Sequence, residues 1–192
     1  GKNILIRGGA WMTSDMLLRL SPHRYEGLIR YAKEAGLNAL RSEGFSIRET
    51  EDFYNLCDRY GVLVWQDFIY SCSIYPLDDP EFVENVRIET VENVRRLRHR
   101  ASLALWCGDN EIDMVYLAEG RDPLQNRLTR EVIPHVLQSH DPYRHYLPSS
   151  PYTPPSVTSL PDAWQKTPEQ HLWGPRGYYK SPFYTHHSAH FI

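Results

Sequence analysis

The sequence predicts an α/β fold built on a parallel sheet. Three observations carry this. Short apolar runs alternate with stretches whose apolar residues recur at helical spacing. Four such strand–helix units follow one another with no hairpin signal between them. The C-terminal ends of the strands collect charged and amide side chains, which is where sheets of this class place their ligand sites.

Ile4-Leu5-Ile6 reads as the first strand. Ser21-Pro22 supplies an N-cap and a first-turn proline. The helix behind it carries Tyr25, Leu28, Ile29, Ala32 and Ala35 on one face and stops at Gly36. Asn38–Arg41 is the second strand. Thr50 caps a helix with Phe53, Leu56, Cys57 and Tyr60 inward, ended by Gly61. Val62-Leu63-Val64-Trp65 is a continuous apolar strand, as expected where both faces are covered. Asp79-Pro80 opens a longer helix with Val83, Val86, Thr90, Val94 and Leu97 inward, and Leu103–Trp106 is the fourth strand. A further helical stretch runs from Asp122-Pro123 through Leu128, Val132, Val136 and Leu137, and Pro134 must kink or split it. Tyr146-Leu147 is the fifth strand. His171-Leu172-Trp173 is a candidate sixth, and Ala189–Ile192 the start of a seventh.

At 192 residues the chain fits one domain, and 41% hydrophobic content is ordinary for a globular protein. The formal charge of −3 gives no reason to expect a nucleic-acid partner. The basic run Arg95, Arg96, Arg98, His99, Arg100 follows Glu81, Glu84, Glu89 and Glu92, and reads as a solvated helix face. No apolar run approaches the roughly 20 residues of a membrane helix. Cys57, Cys72 and Cys107 are too few, odd in number and wrongly spaced for a disulfide framework or a zinc ribbon.

A doubly wound sheet and a barrel both fit this pattern. The dinucleotide-binding version of the former needs a G-x-G-x-x-G turn after the first strand, and Gly8-Gly9-Ala10-Trp11 lacks that spacing. In a barrel the strand ends form the active site. Here they present Arg41, Ser42 and Glu43; Gln66 and Asp67; Asp109, Asn110 and Glu111; then Ser149 and Ser150, and finally Trp173. Paired carboxylates at such a mouth suit glycoside hydrolysis, where one protonates the leaving oxygen and the other assists from the opposite face. Glu111 is the candidate acid. Trp65 and Trp106 are candidates for an apolar wall beside it, and Asn110 for a hydrogen bond to a sugar hydroxyl. Arg41 is placed to orient a nucleophile.

Six runs make the sequence familiar: Ile6–Trp11, Leu37–Arg41, Val62–Phe68, Leu103–Glu111, Pro148–Pro151 and His171–Gly174. In this order they resemble glycoside hydrolase family 2, with the β-mannosidase branch foremost. The Trp106-Cys107-Gly108-Asp109-Asn110-Glu111 run is the most specific of them. The resemblance implies a (β/α)8 barrel, which usually takes about 250 residues. Residues 1–192 are therefore expected to form an incomplete catalytic barrel that stops in its seventh strand, before the nucleophile. It also implies a retaining exo-β-glycosidase with Glu111 as acid/base and Asn110, Arg41, Trp65, Asp67 and Trp173 shaping the sugar pocket. A carbohydrate substrate is expected, no cofactor, and β-sandwich domains elsewhere in the same polypeptide. One departure matters: Ser42-Glu43-Gly44-Phe45 stands where β-mannosidases carry Trp-Gly-Gly. An arginine followed two positions later by Glu-Gly is similar to the exo-β-glucosaminidase branch, where Glu43 would hold an amino group at C2.

Two rivals come from other classes. His171, His186, His187 and His190 raise a metal site, but no His-Glu-x-x-His spacing supports it. A non-catalytic carbohydrate-binding module fits a chain without a nucleophile, though not the intact Asn110-Glu111 motif.

Overall fold

The computed structural model describes residues 3–163, 166–169 and 171. The elements run in the order β1 (Gly8–Trp11), α1 (Pro22–Glu34), β2 (Ala39–Ser42), α2 (Glu51–Tyr60), β3 (Leu63–Asp67), α3 (Pro80–Leu97), β4 (Leu103–Cys107), α4 (Ile112–Ala118), a 3-10 turn (Pro123–Gln125), a π-helical segment (Leu128–Val132), α5 (Ile133–His140) and β5 (His145–Leu147). The five strands form one parallel sheet in strict sequence order, β1 to β5. With right-handed crossovers, an order that never reverses sends every helix to the same face. A doubly wound sheet reverses its order to cover both. Accordingly α1 packs on α2, and α3 on α5.

The caps act as the residues suggest. Ser21 Oγ accepts from Arg24 N at 3.2 Å, and Asp79 Oδ1 accepts from Glu81 N and Phe82 N. Gly61, at φ +63°, takes the left-handed position that ends α2. Thr50 holds the N-cap position of α2 without a side-chain cap bond. Pro134 splits its helix as expected: the π-helical turn precedes it, and α5 begins with the proline in its first turn.

The first strand is displaced from its expected place. Ile4, Leu5 and Ile6 are exposed at 63%, 77% and 54%, and the ladder begins only at Gly8, opposite Ala39. Asn38 is the reason. Its side chain accepts from Arg7 N at 2.7 Å and donates to Leu5 O at 2.8 Å, so an amide takes the place of backbone pairing. Gly8 then lies so close to β2 that a Cβ would meet Ala39 O at 3.1 Å. The helix α4 was not expected either. Asp109 Oδ1 accepts from Ile112 N at 3.0 Å and starts it.

The strands separate two faces. Leu40, Ser42, Val64 and Gln66 are buried toward the helices, and Ala39, Arg41, Leu63 and Trp65 alternate with them on the half-buried opposite face. Gln66, expected at the site, belongs to the helix side: its Oε1 accepts from Tyr54 Oη of α2 at 2.6 Å. Trp106, expected as a wall of the site, is fully buried, stacks on Phe68 and donates to Asp141 at 2.9 Å. On the β1 side, buried Glu49 accepts from Trp11 Nε1 at 2.8 Å and from the Tyr25 hydroxyl, tying β1 to α1.

Two glycines give opposite expectations. A Cβ on Gly44 would lie 2.4 Å from Tyr70 O and 3.2 Å from Asn110 N. Gly44→Ala should cost about 1–3 kcal/mol. A Cβ on Gly27, inside α1, meets nothing within 4 Å. Gly27→Ala should stabilise by about 0.4–1 kcal/mol. Urea denaturation of the full-length protein checks both, and equal effects would contradict the close approach at Gly44.

Candidate active site

Arg41 comes from β2 and Asp67 from the end of β3. Arg41 Nη2 donates to Asp67 Oδ2 at 2.8 Å, and its Nε lies 3.2 Å from the same oxygen. Asp67 is wholly buried and also accepts from Gly44 N at 3.0 Å and Trp65 Nε1 at 2.8 Å. Burial pushes the Asp67 carboxyl upward, against the pull of Arg41 and these donors. Burial likewise disfavours the charged Arg41, but Asp67 outweighs it and holds the guanidinium above its ordinary value. Trp65 lies beneath the guanidinium, 5.3 Å from ring centre to Cζ. Both oxygens of Asp67 are thus engaged by protein donors, and its part in the site is to hold Arg41.

Beyond β4 the chain passes Asp109, Asn110 and Glu111. Asp109 is buried behind the site rather than in it. Its Oδ1 accepts from Ser149 Oγ at 2.6 Å, and burial pushes its carboxyl well above the usual range. Asn110 continues the sheet by isolated bridges to Ser71 on one side and Ser150 on the other. Its Oδ1 accepts from Arg41 Nη2 at 3.1 Å, and its Nδ2 donates to Ser71 Oγ at 3.3 Å.

Glu111 takes a left-handed conformation, φ +65°, at the start of α4. A residue with a Cβ adopts this at a cost of about 1–2 kcal/mol. Here backbone bonds hold it: Glu111 N donates to Ser150 O at 2.8 Å, and Asn110 N to Tyr70 O at 2.9 Å. Cys72 Sγ lies 3.3 Å from Glu111 Oε2. Burial raises the Cys72 thiol, as does Glu111 itself, so the thiol keeps its proton and donates. On the other oxygen, Glu111 Oε1, lies His171 Nδ1 at 2.8 Å.

His171 is the residue that sequence reasoning missed at this place. It counted only toward a sixth strand or a metal cluster, and its available signal was the His171-Leu172-Trp173-Gly174 run. Its Nε2 lies 3.1 Å from Ser150 Oγ, 3.3 Å from Arg41 Nη1 and 3.5 Å from Glu169 Oε1. Burial disfavours its charged form, but the bonds to Glu111 and Glu169 outweigh this, with Arg41 opposing, and its pKa is raised.

Glu43, just past β2, is half-buried in the same field. Burial raises its carboxyl, Arg41 lowers it, and Asp67, His171 and Glu111 act on it too. It belongs to the strand-end cluster rather than to the helix layer. Of the expected site residues the structure gathers Arg41, Glu43, Trp65, Asp67, Asn110 and Glu111. Trp173 lies outside the described residues, as do His186, His187 and His190. Among the described residues no group of three histidine, cysteine or carboxylate side chains is arranged to hold a metal, and no helix is long and apolar enough to cross a membrane.

No protein-family model matches the chain. β-Mannosidase B of Aspergillus fumigatus is 34% identical over an aligned length of 190, and the match covers 90% of this chain and 22% of that protein. The β-mannosidase of Bos taurus is 30% identical over 179 residues, 93% of this chain and 20% of its own length. Among solved structures, the β-D-mannosidase of Dictyoglomus thermophilum matches with a TM-score of 0.79 and 36% identity, over 90% of this chain and 21% of that one. The chain therefore spans about a fifth of the length of the relatives it matches. In both sequence and structure the chain is therefore β-mannosidase-like, similar to about a fifth of each of these proteins, in line with the resemblance to glycoside hydrolase family 2.

Proposed function

We propose that residues 1–192 are an arc of an eight-stranded (β/α) barrel, and that the protein containing them is a retaining exo-β-glycosidase acting on terminal β-linked mannose. The observation that carries this is Glu111. It stands at the C-terminal end of β4 in a left-handed turn, its two carboxylate oxygens met by His171 and Cys72. The sequential parallel order and one-sided helices support the barrel. The β-sandwich domains expected for the family would lie elsewhere in the longer polypeptide.

In this reading Glu111 protonates the glycosidic oxygen as the bond to the anomeric carbon breaks. A second carboxylate attacks that carbon and forms a covalent glycosyl-enzyme, which water hydrolyses with Glu111 now acting as base. The second carboxylate comes from outside the described residues. Asp67 is ill suited because Arg41, Gly44 and Trp65 take up its oxygens. Asn110, fixed by Arg41 and Ser71, offers the sugar its amide edge beside the acid. A second substrate reading, a β-linked amino sugar, is favoured by one observation. Glu43 is a half-buried carboxylate among the site's charged groups.

Three outcomes check this. In the full-length enzyme, Glu111→Gln should lower kcat/KM for alkyl β-mannosides by about 10²–10⁴-fold and for activated aryl mannosides far less, because only the former need protonation in the glycosylation step. Equal losses on both would remove Glu111 from the role. NMR of the first-formed sugar from a β-glycoside should show the β-anomer, and an α-anomer appearing first would sink the double displacement. Glu43→Gln should affect mannosides and glucosaminides alike. A selective loss on a β-glucosaminide, worth about 1.5–3 kcal/mol or roughly ten- to a hundred-fold, would favour the amino-sugar reading instead.

A further inference from the structure

Ser150 has one hydroxyl proton and two close partners, Glu169 Oε1 at 2.6 Å and His171 Nε2 at 3.1 Å. The shorter contact, to a carboxylate, takes the proton. The longer one then puts a proton on Nε2, and that proton has to hold against Arg41 Nη1, a second donor 3.3 Å from the same nitrogen. At the other side of the ring, Nδ1 lies 2.8 Å from Glu111 Oε1. Two lone pairs do not face each other at that distance without a proton between them. His171 and Glu111 together therefore hold one proton more than a neutral imidazole beside a carboxylate would bring.

We propose that His171 stores the proton that Glu111 delivers to the leaving group, with Glu169 keeping it on the pair and Arg41 pressing it toward the carboxylate. This rests on the reading of Glu111 as the acid/base. The groups around the ring fit the task from each side. Glu111 reaches it from beyond β4, Ser150 from beyond β5, Arg41 from β2, and Glu169 from its own segment, with Glu43 in the same field. Glu169 carries negative charge and favours the extra proton, whereas Arg41, 3.3 Å from Nε2, disfavours a positive ring. The second effect tips the shared proton toward Glu111, the side from which it is used.

The step balances. His171 Nδ1–H gives its proton to Glu111 Oε1, so the imidazolium becomes neutral and the carboxylate becomes a carboxylic acid. That acid, released from the ring, presents its O–H to the glycosidic oxygen, which takes the proton as the C–O bond breaks and the electron pair leaves with the aglycone. In the second half Glu111 takes a proton from the attacking water and returns it to Nδ1. His171 and Glu169 are positioning residues here, since they act through Glu111.

The test is the pH profile of kcat/KM for an alkyl β-mannoside, measured on the full-length enzyme and on Glu169→Gln and His171→Asn. The pair loses its shared proton on the basic limb. Removing the charge of Glu169 should move that limb down by about one pH unit, and His171→Asn should move it further. For a dinitrophenyl β-mannoside, whose glycosylation step needs no proton, kcat/KM should fall much less than for the alkyl substrate, which separates a lost proton from a lost site. A basic limb unmoved in Glu169→Gln overturns the proposal. A limb that moves up in His171→Asn also overturns it, because it makes His171 a competitor for the carboxylate rather than a store. If His171→Asn loses the dinitrophenyl activity as well, the Glu169→Gln profile decides alone. Failure of the underlying acid/base reading would show separately, as equal losses on both substrates in Glu111→Gln.

Discussion

The strand ends are organised around one buried carboxylate. Asp67 has no solvent to stabilise its charge, so it depends on four protein donors: two from Arg41, one from the Gly44 backbone and one from Trp65. Each fixes something else. Arg41, once held, reaches Asn110 and His171. Gly44, once held, brings the loop after β2 against the backbone of Tyr70 and Asn110, a gap too narrow for any side chain. Removing one partner of such a pair typically costs about 3–5 kcal/mol, because the remaining charge is left buried alone. The pair matters less as a source of stability than as the reason three successive strand ends keep a common geometry.

The arrangement of Glu111 follows from that geometry. Asn110 is bracketed by Ser71 and Ser150, and the next residue turns out of the sheet. The left-handed backbone of Glu111 is that turn, and α4 begins directly behind it, capped by Asp109. A carboxylate emerges at the sheet end while its neighbour Asp109 is buried beneath it with Ser149. Two acids two residues apart thus have different surroundings, and of the two Glu111 is the one that meets His171 and Cys72.

Much of this was legible in the sequence, and the failures have physical causes. Helices with Ser-Pro or Asp-Pro starts and glycine stops stand where their caps put them, because capping is local. The parallel sheet follows from the alternation of periods. The first strand was misplaced because Asn38 uses its side chain to replace ladder bonds, and composition does not reveal where a side chain points. Gln66 and Trp106 were assigned to the wrong face of their strands for a related reason. Period-2 alternation says that neighbours face opposite ways, but not which way is in. The cluster of Arg41, Asp67, Asn110 and Glu111 was readable because each ends a strand. His171 was not, since its place beside Glu111 depends on a contact 60 residues away in sequence.

The order of the strands has a consequence for how the molecule comes into being. Each strand pairs only with those adjacent to it in sequence, so a growing chain can lay down the sheet one unit at a time as it leaves the ribosome, with little entropy lost to closing long loops. The contacts of His171 do not share that economy. His171 meets Arg41 across 130 residues, and until that late segment docks, Glu111 stands without its imidazole. The framework can thus form early and progressively, whereas the contacts of Glu111 and Arg41 with His171 wait for the segment that carries it.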